Sequence, residues 1–182
     1  MFILYGVLIG LVLGVLAGGR AAGLAALRIR YGGLMIAGLI VQIILFSPFA
    51  AARIGDLGPP IYVGSTIAVA GAILANLRIP GMAIVSLGAI SNLAAIVANG
   101  GYMPADPRAM AALGMAEPTT YSNSSVVTDP ALWPLTDIFA LPAWLPWSNV
   151  FSVGDVIIVV GVAVVIAVAM RRPAEPEATA AG

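Results

Sequence analysis

Five carboxylates, Asp106, Glu117, Asp129, Asp137 and Asp155, fall within one stretch between Asn99 and Asp155, out of eight acids in the whole chain. Oxygens of this kind can ligate calcium, and two of them held close can share general acid and base work. Their spacing matches no metal loop, so no metal site is expected, and dispersed loop acids most often cap helices or stay solvated. The same stretch holds all three tryptophans (Trp133, Trp144, Trp147) and seven of the thirteen prolines.

What is missing narrows the chemistry further. The chain has no Cys, no His and no Lys. Thiolate nucleophiles, disulfides, iron–sulfur ligation, imidazole chemistry and Schiff bases are therefore excluded together. Carboxylates, arginines, hydroxyls and amides remain, at zero net charge and without a basic tract for nucleic acid. No residue is assigned a catalytic role, and the sequence names no cofactor.

Two short motifs frame the acidic stretch. Asn99-Gly100-Gly101-Tyr102-Met103-Pro104 is an abrupt helix stop, and its backbone amides can also face an anion. Ser152-Val153-Gly154-Asp155 has capping-box spacing, which gives Asp155 a structural role as readily as a functional one. Between them, the segment from Leu132 to Phe151 is too broken by proline to span a bilayer and too apolar for a solvated loop. It is expected at a lipid–water interface with its tryptophans at headgroup depth, as an aromatic belt or as a lid over a bundle mouth.

The elements that must position these residues are apolar. Hydrophobic residues make up 61% of the chain and charged ones 9%, with a mean hydropathy of +1.06, far from the usual composition of soluble domains. Five segments read as membrane helices, near residues 2–18, 31–51, 60–76, 81–98 and 153–170, because about 20 apolar residues cross the hydrocarbon and only helices satisfy their own backbone there. The predicted fold is an all-α polytopic membrane bundle. It forms one membrane domain over residues 1–172, with an outer, proline- and tryptophan-rich cap at 99–152 and a disordered cytoplasmic tail at 173–182. Arginine placement orients it. Arg20, Arg28, Arg30, Arg78, Arg171 and Arg172 fall on one side against Arg53 and Arg108 on the other, so the N-terminus and the cap face out and the C-terminus faces in. A signal-peptide reading of the first segment is disfavoured, since no basic residue precedes the apolar run before Ala17-Gly18-Gly19.

Within the spans, Gly6, Gly10, Gly14 and Gly18 recur every fourth residue, a close-packing face for a neighbouring helix of the same chain or for a second copy. Gln42 in the second span and Asn92 in the fourth form a candidate intramembrane polar seam; the other polar residues of the spans are Ser65 and Thr66 in the third and Ser86 and Ser91 in the fourth. No charge sits at mid-depth, which argues against an ion-coupled pump. The linker from Gly19 to Arg30, with three arginines and no acid, can lie along the membrane surface.

Asn92-Leu93, the run from Ile96 to Pro104, the long proline-rich loop and the run from Asn149 to Asp155 together resemble an uncharacterised bacterial family of small integral membrane proteins, a domain of unknown function. The resemblance spans about the whole chain. It implies a five-helix protein of the bacterial cytoplasmic membrane and supplies no activity. It groups Asn99, Gly100, Gly101, Met103, Pro104, Ser152 and Asp155 into one outer feature, to which Tyr102, Trp133, Asp137, Trp144 and Trp147 are added as candidate cap residues. The expected function is a non-enzymatic accessory subunit that uses this cap to bind lipid, a small molecule or a larger membrane complex, homodimer included. A substrate-capturing transporter component, with a cavity lined by Gln42, Asn92 and Asn99, is the alternative, and a lipid-headgroup enzyme using the outer carboxylates comes third.

Overall fold

The computed structural model describes residues 2–116, 118–122 and 125–172. Glu117 and the tail 173–182, for which disorder was expected, lie outside the described residues. The chain runs α1 (Ile3–Leu16), α2 (Ala22–Ala25), α3 (Gly32–Leu45), α4 (Pro48–Ala51), α5 (Gly58–Leu74), α6 (Met82–Ala98), α7 (Pro107–Ala112), β1 (Phe139–Ala140), β2 (Val150–Phe151) and α8 (Val153–Met170), with 3-10 turns at Gly55–Leu57 and Trp133–Leu135. Among the described residues it is mostly helical, with one two-stranded antiparallel pair that sets Phe139 opposite Phe151. Two helical stretches, Gly55–Leu74 and Val153–Met170, are long and apolar enough to cross a membrane, and α1, α3 and α6 are shorter apolar helices.

The five long helices occupy the five apolar segments, but their ends are set by local chemistry. The second segment stops at Leu45 rather than Ala51, because Pro48 forces the preceding residue out of the helical region. Ser47 is extended (φ −67°, ψ 146°) and its hydroxyl accepts from the Ala50 amide, so the chain restarts as the separate turn α4. Pro59 and Pro60 sit in the first turn of α5, where a missing amide costs nothing. At α8 both halves of the capping box form: the Asp155 amide donates to Ser152 Oγ at 3.0 Å and the Ser152 amide to Asp155 Oδ2 at 3.1 Å.

α8 is the centre of the packing. α1 lies along one side of it and α6 along another; α5 packs on α6, and α3 on α5. The α1–α8 contact is built on glycine, since a Cβ at Gly6 would come within 2.7 Å of the Val159 carbonyl and one at Gly10 within 2.9 Å of that of Ala163. Gly14 meets the Met170 side chain. Gly18 does not extend this face: it is exposed beyond the helix end at φ +75°, with nothing within 4 Å of its Cβ direction. Gly19 and Gly23 take over instead, against Met170 and Ala169, because the chain turns after Leu16 and lays the linker over the end of α8. The Arg20 amide donates to the Met170 carbonyl at 2.8 Å there. The α6–α8 contact likewise depends on Gly88 facing Gly154 and on Gly161 facing Val85.

The segment after α6 folds as a small unit over one end of the bundle. Ala105, Ala109, Met110 and Val150 form its core, with Leu113, Val126 and Ala140 against them. Short parallel bridges join Pro104 to Ser125 and Ala105 to Asp137. The aromatic segment thus belongs to a packed cap, and its tryptophans are the exposed part: Trp133 is 50%, Trp144 81% and Trp147 46% accessible.

Candidate functional site

Beneath the cap the helices enclose a cavity of about 370 Å³. Its polar side chains gather toward the cap: Gln42 of α3, Tyr62 and Thr66 of α5, Asn92 of α6, Asp155 of α8, and Asp137 and Asn149 from the cap, with Phe2, Ile3, Ile96, Met103 and Val150 between them. Its lower wall is apolar, with Val69, Ala70, Ile73, Val85, Ala89 and Ile158. From Tyr62 to Ile73 the cavity follows α5 for eleven residues, about 16 Å at 1.5 Å per residue. Such a volume lies at the lower end of the range for small-molecule pockets.

The best-organised polar group is centred on Asn92. Its Nδ2 donates to Asp155 Oδ1 at 2.7 Å, and its Oδ1 accepts from Ser152 Oγ at 2.9 Å. Ser152 is completely buried. Gly154 permits this arrangement, because a Cβ there would fall on the Asn92 side-chain oxygen. The capping box and the α6 amide therefore form one unit in which both Asp155 oxygens already accept hydrogen bonds. Gln42 has separate partners, donating to Ser65 Oγ and Thr66 Oγ1 at 3.3 Å each. Gln42 and Asn92 share the cavity rather than a hydrogen-bonded seam.

Of the outer acids, Asp137 and Asp155 converge on the cavity. Asp137 is 6% accessible; its amide donates to the Pro104 carbonyl at 2.9 Å and its carbonyl accepts from the Asp106 amide at 3.0 Å. Asp106 is spent at the N-terminus of α7, where its carboxylate accepts from the Arg108 amide at 2.7 Å. Asp129 is exposed. Among the described residues, no group of three or more His, Cys, Asp or Glu could hold a metal ion.

The NGGYMP motif divides its work. Asn99 stays outside the cavity and staples the cap: its Nδ2 donates to the carbonyls of Ala95 and Ala131, and its Oδ1 accepts from the Ala131 amide at 2.9 Å. Gly100 and Gly101 are left-handed (φ +70° and +91°), and the Gly101 backbone is pressed against Pro59. Tyr121 donates from its hydroxyl to the Gly101 carbonyl at 2.8 Å and meets Tyr102 ring edge to face. Burial, and then the neighbouring Tyr102, push the Tyr121 phenol well above its ordinary value. Met103 lines the cavity and Pro104 is fully buried beside it. Trp147 sets its ring edge against Tyr5 of α1, and Trp133 offers its carbonyl to the Thr136 hydroxyl, so of the three Trp144 has the least structural work.

Tyr62, Thr66 and Asn149 are the cavity residues that the polar inventory of the sequence did not single out as a site. A signal was present: Tyr62, Ser65 and Thr66 fall at i, i+3 and i+4 after the Pro59-Pro60 start, on one face of a helix. Asn149 carries no comparable pattern.

A helical bundle, largely apolar on its outside and closed at one end by a small cap over a half-polar cavity, is the class of protein that these features define. The chain belongs to the family of unknown function DUF5317, whose model matches residues 26–167. The match takes in the cap and the cavity walls from α3 to α8 and leaves out α1. No curated protein and no solved structure matches the chain.

Proposed function

We propose that this is a multi-spanning protein of the bacterial cytoplasmic membrane, with five membrane helices, that holds a small amphipathic molecule in the cavity under its outward-facing cap, without catalysis. The cavity carries the reading: its polar groups all lie toward the cap end and its far end is apolar, the polarity gradient of an amphiphile standing upright in a leaflet. Membrane placement is supported by the two long apolar helices and by lipid-like exposure elsewhere, as on α3, where Ile36, Leu39, Ile43 and Ile44 are each more than half accessible. Orientation is supported by the arginines. The Arg20 amide bonds the carbonyl of Met170, the neighbour of Arg171 at the end of α8, and Asn76, two residues from Arg78, bonds both the amide and the carbonyl of Arg30. These residues gather at the end opposite the cap, which the positive-inside rule assigns to the cytoplasm. A non-catalytic role is supported by Asp155, whose two oxygens are engaged in helix capping and by Asn92.

A substrate-capturing subunit of a transporter is the second reading, favoured by the convergence of Gln42 and Asn92 on one cavity that reaches well below the cap. Both readings are tested by native mass spectrometry of gently solubilised protein. The expected result is a retained small molecule in the wild type that is lost in Ala89→Phe, which fills the apolar floor. A wild type that carries nothing refutes the binding reading.

A further inference from the structure

We infer that the cavity is loaded sideways, from the outer leaflet, through the seam between α1 and α3, and that its occupant is a single-chain amphiphile whose head donates hydrogen bonds and is uncharged or cationic. The inference rests on the cavity being a binding site within a membrane.

The seam follows from the order of packing. α1 packs on α8, α8 on α6, α6 on α5 and α5 on α3, and among the described residues α1 and α3 have no packing comparable to these. Yet Ile3 of α1 and Gln42 of α3 line the same cavity. An arc of helices whose two ends flank one cavity leaves that cavity open along the line between them. Ile3, on the α1 edge of the cavity, is apolar and 49% accessible, and α3 is apolar on both sides of Gln42, so within a membrane the opening faces hydrocarbon rather than water.

The roof, by contrast, is fastened. Asn99 ties the end of α6 to Ala131, Tyr121 ties the cap to Gly101, and Phe151 stacks on both Phe2 and Phe139. A molecule arriving from water would have to break several of these contacts, whereas one already in the leaflet would break none.

The head is assigned by what the upper wall offers. Phosphate and carboxylate heads are held by arginine or lysine; the chain has no lysine, and no arginine lines this cavity. Two carboxylates, with side-chain amides and hydroxyls, line it instead, a wall with acidic groups and no basic one, which disfavours an anionic head and suits an amine or a polyol. A narrow apolar lower half of this volume accommodates one alkyl chain.

The test uses the full chain in phosphatidylcholine vesicles with two probes, dodecylamine and dodecyl phosphate, each carrying a photoreactive diazirine on the chain. Labelled residues are mapped by mass spectrometry. Dodecylamine is expected to label the cavity walls at least tenfold more than dodecyl phosphate; equal labelling overturns the head assignment. The route is tested with Phe139→Cys/Phe151→Cys. Directly opposed residues of an antiparallel pair lie about 4.5–5.5 Å apart at Cα, within disulfide reach, and no native cysteine competes. Oxidation pins the roof and is expected to leave the labelling rate within twofold of the reduced form. A tenfold loss on oxidation means loading through the roof and overturns the sideways route, while the binding reading survives. No wall labelling of the wild type by either probe refutes binding itself. Ile3→Trp, which narrows the seam, is expected to slow labelling at least fivefold, and an unchanged rate overturns the route even if the cysteine variant does not fold.

Discussion

Replacing Asn92 by Leu keeps the size of the side chain and removes two hydrogen bonds that join α6 to the start of α8. One goes to a carboxylate, Asp155 Oδ1 at 2.7 Å, and one comes from the completely buried Ser152 hydroxyl at 2.9 Å. A bond to a charged group is worth about 1.5–3 kcal/mol, and a neutral interhelical bond in a membrane protein about 0.6 kcal/mol. Together the loss is about 2–3.5 kcal/mol, or roughly 30- to 300-fold in the unfolding equilibrium. The assay is reversible unfolding in mixed micelles of rising dodecyl sulfate fraction, followed by tryptophan fluorescence from the cap. Ser152→Ala and the double variant complete a cycle, in which the Asn92–Ser152 pair should show coupling of about 0.6 kcal/mol and no more than about 1.7 kcal/mol. Ser86→Ala on the same helix is the control. The Ser86 hydroxyl is buried with no hydrogen-bond partner among the described residues, so its removal should be neutral or stabilising. A loss below about 0.5 kcal/mol for Asn92→Leu, within the range of an ordinary surface substitution, would refute the view that this network joins the two helices.

Other outcomes follow from the same geometry. Gly10→Leu should separate α1 from α8 and lower the unfolding midpoint strongly, whereas Gly18→Ala should cost only about 1–2 kcal/mol from its left-handed backbone; equal effects would contradict the observed packing face. The raised Tyr121 phenol keeps its proton when the unfolded chain begins to lose it, so its contribution is complete below about pH 10 and is lost as the pH climbs further. Tyr121→Phe should therefore flatten part of the alkaline fall in cap stability measured by thermal melts from pH 8 to 11. Thr128→Cys in the cap should react with a membrane-impermeant maleimide on intact cells and Ala21→Cys should not, and the reverse pattern would invert the proposed orientation. Trp144→Ser, at the most exposed tryptophan, should leave the melting temperature unchanged while reducing quenching of cap fluorescence by lipids brominated near the headgroup.

The long helices were legible because hydrophobic runs, prolines and caps report on local physics, and the capping box at Ser152 and Asp155 forms as its spacing predicts. Breaks that depend on one residue were harder to see. Ser47-Pro48 cuts the second segment short, and Gly18 falls outside the packing face although its spacing continues the pattern, because periodicity does not say where a helix ends. The site was legible in pieces. Gln42, Asn92, Met103, Asp137 and Asp155 were named as candidates, but their meeting around one cavity depends on α5 standing between α3 and α6, which no local pattern encodes. Asn99 looked like a cavity residue and proved to be a staple, since its amide lies at the height of the cap loop. The core of the cap was missed because Ala105, Met110 and Val150 are ordinary apolar residues scattered over a proline-rich stretch.

The position of α8 has a consequence for biogenesis. α1 is made well before α8, yet its glycine face fits a helix that begins at Val153, 137 residues after Leu16. At about 5–20 residues per second, synthesis of that interval takes roughly 7–27 s. Throughout this time α1, and α6 once it is made, have no α8 to pack against, and the bundle cannot close. An early helix with bare glycines and a cap awaiting its last strand are both surfaces that quality-control proteases can grip. A chain interrupted before Val153 would thus expose two unfinished interfaces at once, which makes docking of α8 the step that commits the protein to its native assembly.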